Sequence, residues 1–404
     1  MKRVLVAILL VTLAACDPPP PPLTNVPFES GQVRDVDFIQ PTAMTFGSDG
    51  RLYVSELGGR IVALSLTEDG RAASMEVIAE DSEFNQVLGL AYTDGGAQPA
   101  LYVSHNYISQ SGDGPFANEI VRLIGPDLSE SEPIVTGLPV SGHNHGTNDL
   151  EFGPDGRLYI AQGGTTSSGA PAEPDDARWR DWDESPLSGA ILVAEVNAPE
   201  FDGEIAYDSE LATRDTNMVG GDVSVYSPGH RNTYDILFHS NGHLYSVDNG
   251  SSEPVPASLD CATLGAPPDN DPDQLNLVVE GAYYGHANRN RGREEPRQCE
   301  NVSPFDESED DGMLLLVPPS SNSLLEVTEG VFPDDWQGDL LLGWWTGGEI
   351  RRLRLSGDGQ TVEGQEIVLE GLGAPIAMAT DPSTGIIYIA EFGSGVITYL
   401  APTG

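Results

Sequence analysis

Two histidines separated by one residue, His143 and His145, are the first side chains in this sequence that could do chemistry at neutral pH. An imidazole with a pKa near 6.5 can take a proton from a substrate hydroxyl, and a neutral imidazole is also a common metal ligand. Alternate residues of an extended chain point in opposite directions, so the two rings are not expected to bind one ion. The pattern alone leaves a general base, a metal ligand and a structural loop open.

A hairpin follows these histidines and determines where they lie. Residues 149–152 form an extended run, residues 153–156 read Gly-Pro-Asp-Gly as a turn, and residues 158–161 form a second, apolar run. Antiparallel strands joined by a tight turn bring the chain before the first strand and the chain after the second to the same end of the sheet. The two histidines and the loop at residues 162–164 are therefore predicted to share one face.

The same hairpin recurs along the chain. We place copies at residues 41–56, 149–161, 233–248 and 374–391, and two less regular copies at residues 87–104 and 324–355. Six units at a spacing of roughly 50 to 80 residues predict an all-β fold, a six-bladed β-propeller with four-stranded antiparallel blades.

The first strand of each propeller blade lines the central channel, so the residues that precede these strands are predicted to surround its mouth. This predicted rim gathers histidines, one arginine and several carboxylates. Its members are Gln40, Glu56, His143, His145, Gln162, His230, Arg231, Asn232, Asp248, Asn249, Gly250, Leu372 and Glu391.

The first sixteen residues are predicted to be an export signal. Two basic residues precede an apolar run that is too short to cross a membrane, and Leu13-Ala14-Ala15-Cys16 resembles a bacterial lipobox. We expect Cys16 to carry lipid and to anchor the exported protein to a bacterial membrane; an ordinary secretory peptide is the alternative. Residues 17–32, with five consecutive prolines, are expected to form an extended tether, and residues 33–404 a single propeller domain.

Export would place the two remaining cysteines in an oxidising compartment. Cys261 and Cys299 bracket a segment that follows the hairpin at residues 233–248. Their simplest state is a disulfide that pins a long surface loop, and two free buried thiols are the alternative.

The net charge of −44, from 63 acidic and 19 basic residues, is the most pronounced feature of the composition. Such a surface repels nucleic acid and anionic lipid headgroups, so neither is a predicted partner, and membrane contact is expected through the lipid anchor only.

A group of arginines between residues 289 and 297 stands out against this acidic background. One interpretation is a platform for an anion or a cofactor. The favoured interpretation is salt bridging to neighbouring acidic residues, including the acidic run at residues 306–311. The arginines are Arg289, Arg291, Arg293 and Arg297.

The order of several motifs resembles the glucose/sorbosone dehydrogenase family, whose members are exported six-bladed propellers related to the soluble quinoprotein glucose dehydrogenase. The resemblance runs from about Phe38 to the end of the chain. Its most specific part is Gly-His-Arg-Asn at residues 229–232, followed by Asn-Leu-Val and Tyr-Gly elements. The matching segments, in order, are His145 and residues 152–159, 229–232, 244–250, 273–278 and 281–285.

The resemblance implies that a sugar of the aldose or sorbosone type is oxidised with pyrroloquinoline quinone (PQQ) and calcium. The family's catalytic histidine matches His145, which would take the proton of the anomeric hydroxyl while hydride passes to the quinone. Arg231 matches a residue that is both catalytic and cofactor-binding, and Asn232 would also lie against the cofactor. The electron acceptor that follows the quinone stays unknown.

The resemblance also implies two calcium sites. The backbone carbonyls of Gly250 and Ser251 would help to hold the calcium that polarises the quinone, although Ser251 replaces a proline that is frequent in the family. Asp273 would belong to a second, structural site.

The sequence departs from the family at the part of the predicted channel mouth that blades 5 and 6 form. Family members meet the three carboxylates of the quinone with a lysine in the fifth blade and arginines in the sixth, whereas residues 343–348 and 372–375 contain no cation. Gly163 stands where the family tends to have an acidic residue. Arg351, Arg352 or the arginines near residue 289 would then have to supply the missing charge.

Two other functions remain open. A propeller without a cofactor would bind a carbohydrate or a protein partner, with the tryptophans at positions 179, 182, 344 and 345 as stacking surfaces or as ordinary packing. A calcium-dependent, lactonase-like hydrolase would use Glu56, Asp248 or Glu391 around one ion in the channel.

Overall fold

A computed structural model describes residues 26–80, 84–107, 117–140, 145–169, 183–209, 216–251, 272–292, 296–299, 312–328 and 332–403. Six antiparallel sheets of four strands make up most of the regular structure in these residues, so the predicted all-β, six-bladed propeller is confirmed. The described part also contains a ribbon of Ala206–Tyr207 with Met218–Gly220, an α-helix at Arg289–Gly292 and a 3-10 helix at Pro296–Cys299. No helix among the described residues has the length and apolar character that a membrane span requires.

The four strands of each blade follow one another outward from the channel. The inner strands are Pro41–Phe46, Gln86–Thr93, Thr147–Phe152, Thr233–Phe238, Ser321–Glu326 and Pro375–Thr380. The second strands are Leu52–Glu56, Ala100–Asn106, Leu158–Gln162, Leu244–Asp248, Leu340–Trp344 and Ile387–Glu391. The third strands are Ile61–Leu66, Asn118–Ile124, Ala190–Ala194, Asp273–Val278, Glu349–Leu355 and Val396–Pro402. The outer strands of blades 1 to 5 are Ala73–Ala79, Glu130–Leu138, Val223–Pro228, Met313–Val317 and Val362–Glu370.

The ring is closed by a strand from the beginning of the chain. Phe28–Gln32 pairs antiparallel with Val396–Pro402 and forms the outer strand of blade 6. The propeller therefore begins before residue 33, and the expectation that residues 28–32 belong to a tether is wrong. Pairing of the two chain ends joins the first and last blades, which protects a sheet edge that would otherwise be open.

The recurring turn has a local physical cause. Gly50, Gly156 and Gly242 occupy the same position in three blades, with φ of 78°, 79° and 88° respectively, a backbone region that favours glycine. One residue earlier, Asp or Asn accepts a hydrogen bond from the backbone two positions ahead, as Asp155 does from the N–H of Arg157 at 3.0 Å.

The hydrophobic core lies between the blades. Six clusters of buried apolar side chains occur in the described residues, and each one joins two successive blades. One of them packs side chains of blade 6 against blade 1, so the contacts run around the whole ring. Because every blade buries both faces in this way, the second strands are buried along their full length in five of the six blades.

Candidate functional site

The site lies where the chain enters the inner strands of blades 3 and 4. A β-bulge interrupts the pairing near the start of each inner strand, between Thr147 and Leu150 in blade 3 and between Thr233 and Asp235 in blade 4. Bulges change the direction in which side chains point. His145 lies two residues before the first of these strands, and Arg231 and Asn232 immediately precede the second, so the structure brings the three residues to one rim.

His145 is buried and held by the neighbouring loop. Its Nδ1 lies 3.1 Å from the carbonyl oxygen of Gly164. A carbonyl can only accept a hydrogen bond, so Nδ1 carries the proton and Nε2 is the basic nitrogen. Burial lowers the pKa of His145 well below 6.5, and the positive charge of Arg231 lowers it further. The ring is therefore neutral at neutral pH.

Arg231 is fixed at both its backbone and its side chain. Its Nε donates to the carbonyl oxygen of Ser167 at 2.8 Å, and one terminal nitrogen donates to the carbonyl oxygen of Asn249 at 3.1 Å. Its own carbonyl oxygen accepts from the N–H of Gly164 at 2.7 Å. The guanidinium thus connects the loop that contains Ser167, after the second strand of blade 3, with the loop that contains Asn249, after the second strand of blade 4.

Asn232 forms the wall between the two loops. Its side-chain oxygen accepts from the amide of Asn148 at 2.9 Å, and its amide nitrogen donates to the side-chain oxygen of Asn249 at 3.2 Å. A Cβ added to Gly163 would lie 2.9 Å from that Asn232 oxygen and 2.9 Å from the Cβ of His145. The glycine at position 163, where the family tends to have an acidic residue, is what lets His145 and Asn232 approach each other.

Asp248 orients Arg231 and Asn232 through their backbone. Its two carboxylate oxygens accept from the N–H of Arg231 at 2.9 Å and of Asn232 at 2.8 Å. Burial raises the pKa of Asp248, and these hydrogen bonds oppose that effect. The carboxylate therefore serves to shape the loop.

Replacing Asp248 by asparagine is expected to lower the free energy of unfolding by about 1–3 kcal/mol, because the new amide group faces a buried N–H donor. Urea denaturation of both proteins measures this. Glu391→Gln is a matched change, since Glu391 accepts from the N–H of Gly373 at 2.6 Å in blade 6. A lower free energy of unfolding in the Glu391 variant but not in the Asp248 variant would contradict the role of Asp248 in shaping the loop.

The residues expected to hold calcium lie next to this loop. Both side-chain oxygens of Asp273 accept from N–H groups, with Asn249 at 2.6 Å, Gly250 at 3.1 Å and Ser321 at 3.1 Å. Burial raises the pKa of Asp273 to about 6. In the part of the chain that the structure describes, no group of three His, Cys, Asp or Glu could hold a metal. The calcium roles of Gly250, Ser251 and Asp273 stay predictions.

The cations of blades 5 and 6 that the structure describes lie on one strand, and two of the three form ion pairs. In the described parts of these blades they are Arg351, Arg352 and Arg354, all on the third strand of blade 5. Arg351 pairs with Glu349 at 3.0 Å, and Arg352 pairs with Asp339 at 2.6 Å. The expectation that Arg351 or Arg352 supplies charge to a cofactor is therefore not supported by their contacts.

Two of the four arginines near residue 289 have described side chains, and both have partners. Arg289 forms an ion pair with Asp183, and Arg291 donates to the carbonyl oxygens of Pro186, Ser188 and Gly189 at 2.8–3.1 Å. These partners lie more than 100 residues away in the sequence.

The carboxylates of the lactonase interpretation also have structural partners. Glu56 accepts from the N–H of Ile39 at 2.8 Å and pairs with Arg60 at 2.5 Å. Glu391 accepts from Gly373, Ser394 and Thr398. Both lie at the end of a second strand, as Asp248 does. Each accepts a hydrogen bond from the segment that leads into the inner strand of the same blade.

Several predicted residues lie outside the described residues. They are His143, Cys16, Cys261, Trp179, Trp182, Arg293 and the side chain of Arg297. Cys299 is disulfide-bonded, and its pairing with Cys261 stays a prediction.

Two buried residues that the sequence analysis does not single out lie behind the site. Nε2 of His286 is 2.8 Å from Oε1 of Glu184. The Tyr-Gly element that ends at Gly285 could have pointed to His286, which follows it directly. Glu184 lies in a long acidic stretch where no local pattern distinguishes it.

Comparison with known proteins agrees with the resemblance. The family model for glucose/sorbosone dehydrogenase matches residues 38–397. Quinoprotein glucose dehydrogenase B of Acinetobacter calcoaceticus is 26% identical over 308 residues, which cover 70% of this chain and 58% of that protein. The chain thus spans little more than half the length of this relative.

Solved structures share the fold. The PQQ-bound form of aldose sugar dehydrogenase from Streptomyces coelicolor matches with a TM-score of 0.60 and 17% identity, over 95% of this chain and 99% of that one. A calcium structure of a family AA12 carbohydrate-active enzyme from Trichoderma reesei matches with a TM-score of 0.63 and 14% identity, over 97% and 100%. With the family model covering most of the chain, this protein belongs to the glucose/sorbosone dehydrogenase family.

Proposed function

We propose that this protein is a dehydrogenase that oxidises an aldose or a related sugar with PQQ and calcium. The observation that carries the proposal is a neutral, buried His145 beside the guanidinium of Arg231 at the rim of a propeller of this family. The quinoprotein relative in Acinetobacter calcoaceticus and the PQQ-bound structural neighbour support it.

The chemistry of the protein's own residues follows from their contacts. Nε2 of His145 accepts the proton of the anomeric hydroxyl as the hydrogen on the same carbon leaves with two electrons, and the sugar becomes a lactone. Bound PQQ supplies the acceptor for this hydride. Arg231 and Asn232 would place a positive charge and an amide beside the quinone oxygens, on which negative charge develops when the cofactor is reduced. Since both are held by Asp248 and Asn249, no reorganisation is needed during the reaction.

The described residues fit one side of the cofactor. Arg231 and Asn232 would hold it on the side of blades 3 and 4, and carbonyl oxygens at Gly250 and Ser251 would hold the calcium. On the side of blades 5 and 6, Arg351 and Arg352 are already paired, so the described residues give the three carboxylates little charge compensation there. We therefore expect weaker PQQ binding than in members that carry the lysine and arginines.

Reconstitution tests this proposal. Purified protein is mixed with PQQ and calcium, quinone absorbance is followed in the protein fraction, and dye reduction is measured with a panel of aldoses. We expect saturable absorbance and sugar-dependent dye reduction. Absence of both would overturn the proposal.

A second candidate is a propeller that binds a carbohydrate without oxidising it, and the paired state of Arg351 and Arg352 favours it. Calorimetry with the same sugars in the absence of PQQ separates the two. Sugar binding that is unchanged by PQQ, with no dye reduction, would support this candidate.

We also propose that the protein is exported and anchored by lipid on Cys16, on the basis of the lipobox-like residues 13–16. Cys16→Ser should move the protein from the detergent-soluble membrane fraction to the aqueous fraction. Retention of the variant in the membrane fraction would refute lipid anchoring.

A further inference from the structure

We propose that Glu184 is the positioning residue of this site, because it fixes the loop that holds both His145 and Arg231. The inference rests on the proposed function for its kinetic consequences, whereas the positioning itself can be tested without turnover. Glu184 forms no hydrogen bond with either of these two described residues and acts through residues 163–169.

Glu184 is fully buried and receives six hydrogen bonds. The backbone N–H groups of Thr165 and Thr166 donate to its two oxygens, each at 2.9 Å. The hydroxyls of Thr165 and Thr166 donate at 3.1 Å and 2.5 Å, and Ser188 adds a third hydroxyl. Nε2 of His286 completes the set at 2.8 Å. Four of the six donors belong to two consecutive residues of the loop, so the carboxylate determines the course of the loop.

The loop transmits this position to the candidate catalytic residues. Gly164, one residue before the bonded threonines, directs its carbonyl oxygen to Nδ1 of His145 and its N–H to the carbonyl oxygen of Arg231. Ser167, one residue after them, accepts from the guanidinium of Arg231. A displacement of the threonines would therefore move the partners of His145 and Arg231 together.

The packing leaves the loop little room to adjust. A Cβ on Gly164 would lie 2.8 Å from Nε2 of His286 and 3.1 Å from Oε1 of Glu184. His286 is itself tied to blade 4, since its N–H donates to the carbonyl oxygen of Gly229 at 2.7 Å. The Glu184–His286 pair thus joins the loop of blade 3 to the segment that carries Arg231.

The carboxylate is ionised in this setting. Burial opposes ionisation, but the interaction with His286 and the hydroxyl donors hold the pKa of Glu184 well below its usual value. All six partners are donors, which an ionised carboxylate accepts at both oxygens. A glutamine would turn an NH2 group toward some of these donors.

The test compares Glu184→Gln with Glu326→Gln in the reconstituted holoenzyme. Glu326 is the matched control, because it is buried, accepts from Ser240 at 2.8 Å and lies 3.6 Å from His239 at the opposite rim. We expect kcat of the Glu184 variant to fall by about 100-fold with KM within about threefold, since a small misplacement of catalytic groups has this effect. The Glu326 variant should retain kcat. An unchanged kcat in the Glu184 variant would overturn the proposal.

A second readout needs no turnover. NMR titration of histidine-labelled protein, with the His145 signal assigned by its loss in His145→Gln, should show the pKa of His145 rising toward 6.5 in the Glu184 variant only. If the loop did not move, loss of the negative charge of Glu184 would lower the pKa of His145. A fall or no change in this pKa would therefore overturn the proposal. If the wild-type protein shows no turnover while this rise is seen, the proposed function fails and the positioning role stands.

A milder variant covers the case in which Glu184→Gln does not fold. Thr166→Val has the same shape and removes one donor to Glu184, together with the acceptor for the N–H of Gly169. We expect the same rise in the pKa of His145 and a fall in kcat of about tenfold. Wild-type values in both measurements would count against the proposal.

Discussion

Replacement of His145 by glutamine is expected to lower kcat of sugar oxidation by about 1,000-fold, within the range that a positioned general base contributes. Glutamine can keep the hydrogen bond to Gly164 but has no nitrogen basic enough to take a proton. Arg231 and Asn232 are held by Asp248, Asn249 and Ser167 and not by His145, so PQQ absorbance should be retained. The measurement is steady-state dye reduction together with cofactor absorbance.

The matched control for this variant is His239→Gln. His239 is also buried and also bonds a carbonyl oxygen, that of Gly338 at 2.9 Å, but it lies at the opposite rim. It should retain full turnover. If both variants lose activity equally, or if His145→Gln keeps wild-type kcat, His145 is not the base.

The same site gives a pH dependence with a defined sign. Because burial and Arg231 lower the pKa of His145 well below 6.5, the base is already deprotonated at pH 6.5. The acid limb of kcat/KM should therefore lie well below pH 6.5, and activity should be flat from there to neutral pH. An acid limb at or above pH 6.5 would show that the ring is more solvated or farther from Arg231.

The blades could be predicted from the sequence because their determinants are local. Within one hairpin, a turn glycine, an Asp or Asn before it and a buried Tyr after it lie within eight residues, as in the segment from Gly153 to Tyr159. The strand at Phe28–Gln32 could not be recognised in this way. Its partner lies at the other end of the chain, and its own residues alternate only weakly between apolar and polar.

The candidate site was predictable in part for the same reason. Hairpin geometry placed His145, Arg231 and Asn232 at one rim, but it could not separate carboxylates that do chemistry from those that bond backbone. Glu56, Asp248 and Glu391 each lie at the end of a second strand. Each accepts a hydrogen bond from the segment that leads into the inner strand of its blade, which is a repeated structural role. Glu184 was missed because five of its six hydrogen bonds come from residues 18 to 102 positions away in the sequence, and only Ser188 is close to it.

Replacement of Asp235 by asparagine is expected to stabilise the protein at pH 8 by about 2–4 kcal/mol and to have little effect near pH 4. Asp235 and Asp149 interact in a channel cavity of about 170 Å3 that Glu151 also lines, and no basic residue is among the described residues that line it. Within the described residues, these two carboxyl groups bond each other and accept from backbone N–H groups, including that of Leu324 at 2.7 Å. Burying like charges this way is costly.

The sign follows from the raised pKa values. Burial raises the pKa of Asp149 to about 7 and that of Asp235 well above its usual value. The negative charges of Asp149 and Glu151 raise the pKa of Asp235 further. In the unfolded chain both titrate near 3.8. The folded state therefore binds more protons, and stability that is fully present below about pH 4 is lost as the pH rises through about 7. An asparagine at position 235 stays neutral throughout and can still accept from Leu324.

Unfolding in urea at pH 4, 6 and 8 measures this difference. The wild-type free energy of unfolding should fall across the series, and the Asp235→Asn curve should fall less. Glu363→Gln removes the same charge from an exposed position and accounts for the general effect of the −44 net charge. If Asp235→Asn gains no more than Glu363→Gln at pH 8, the channel carboxylates are not held protonated. Asp149 and Asp235 lie on the inner strands that follow His145 and Arg231, so a gain would also show that these strands tolerate the loss of one channel carboxylate.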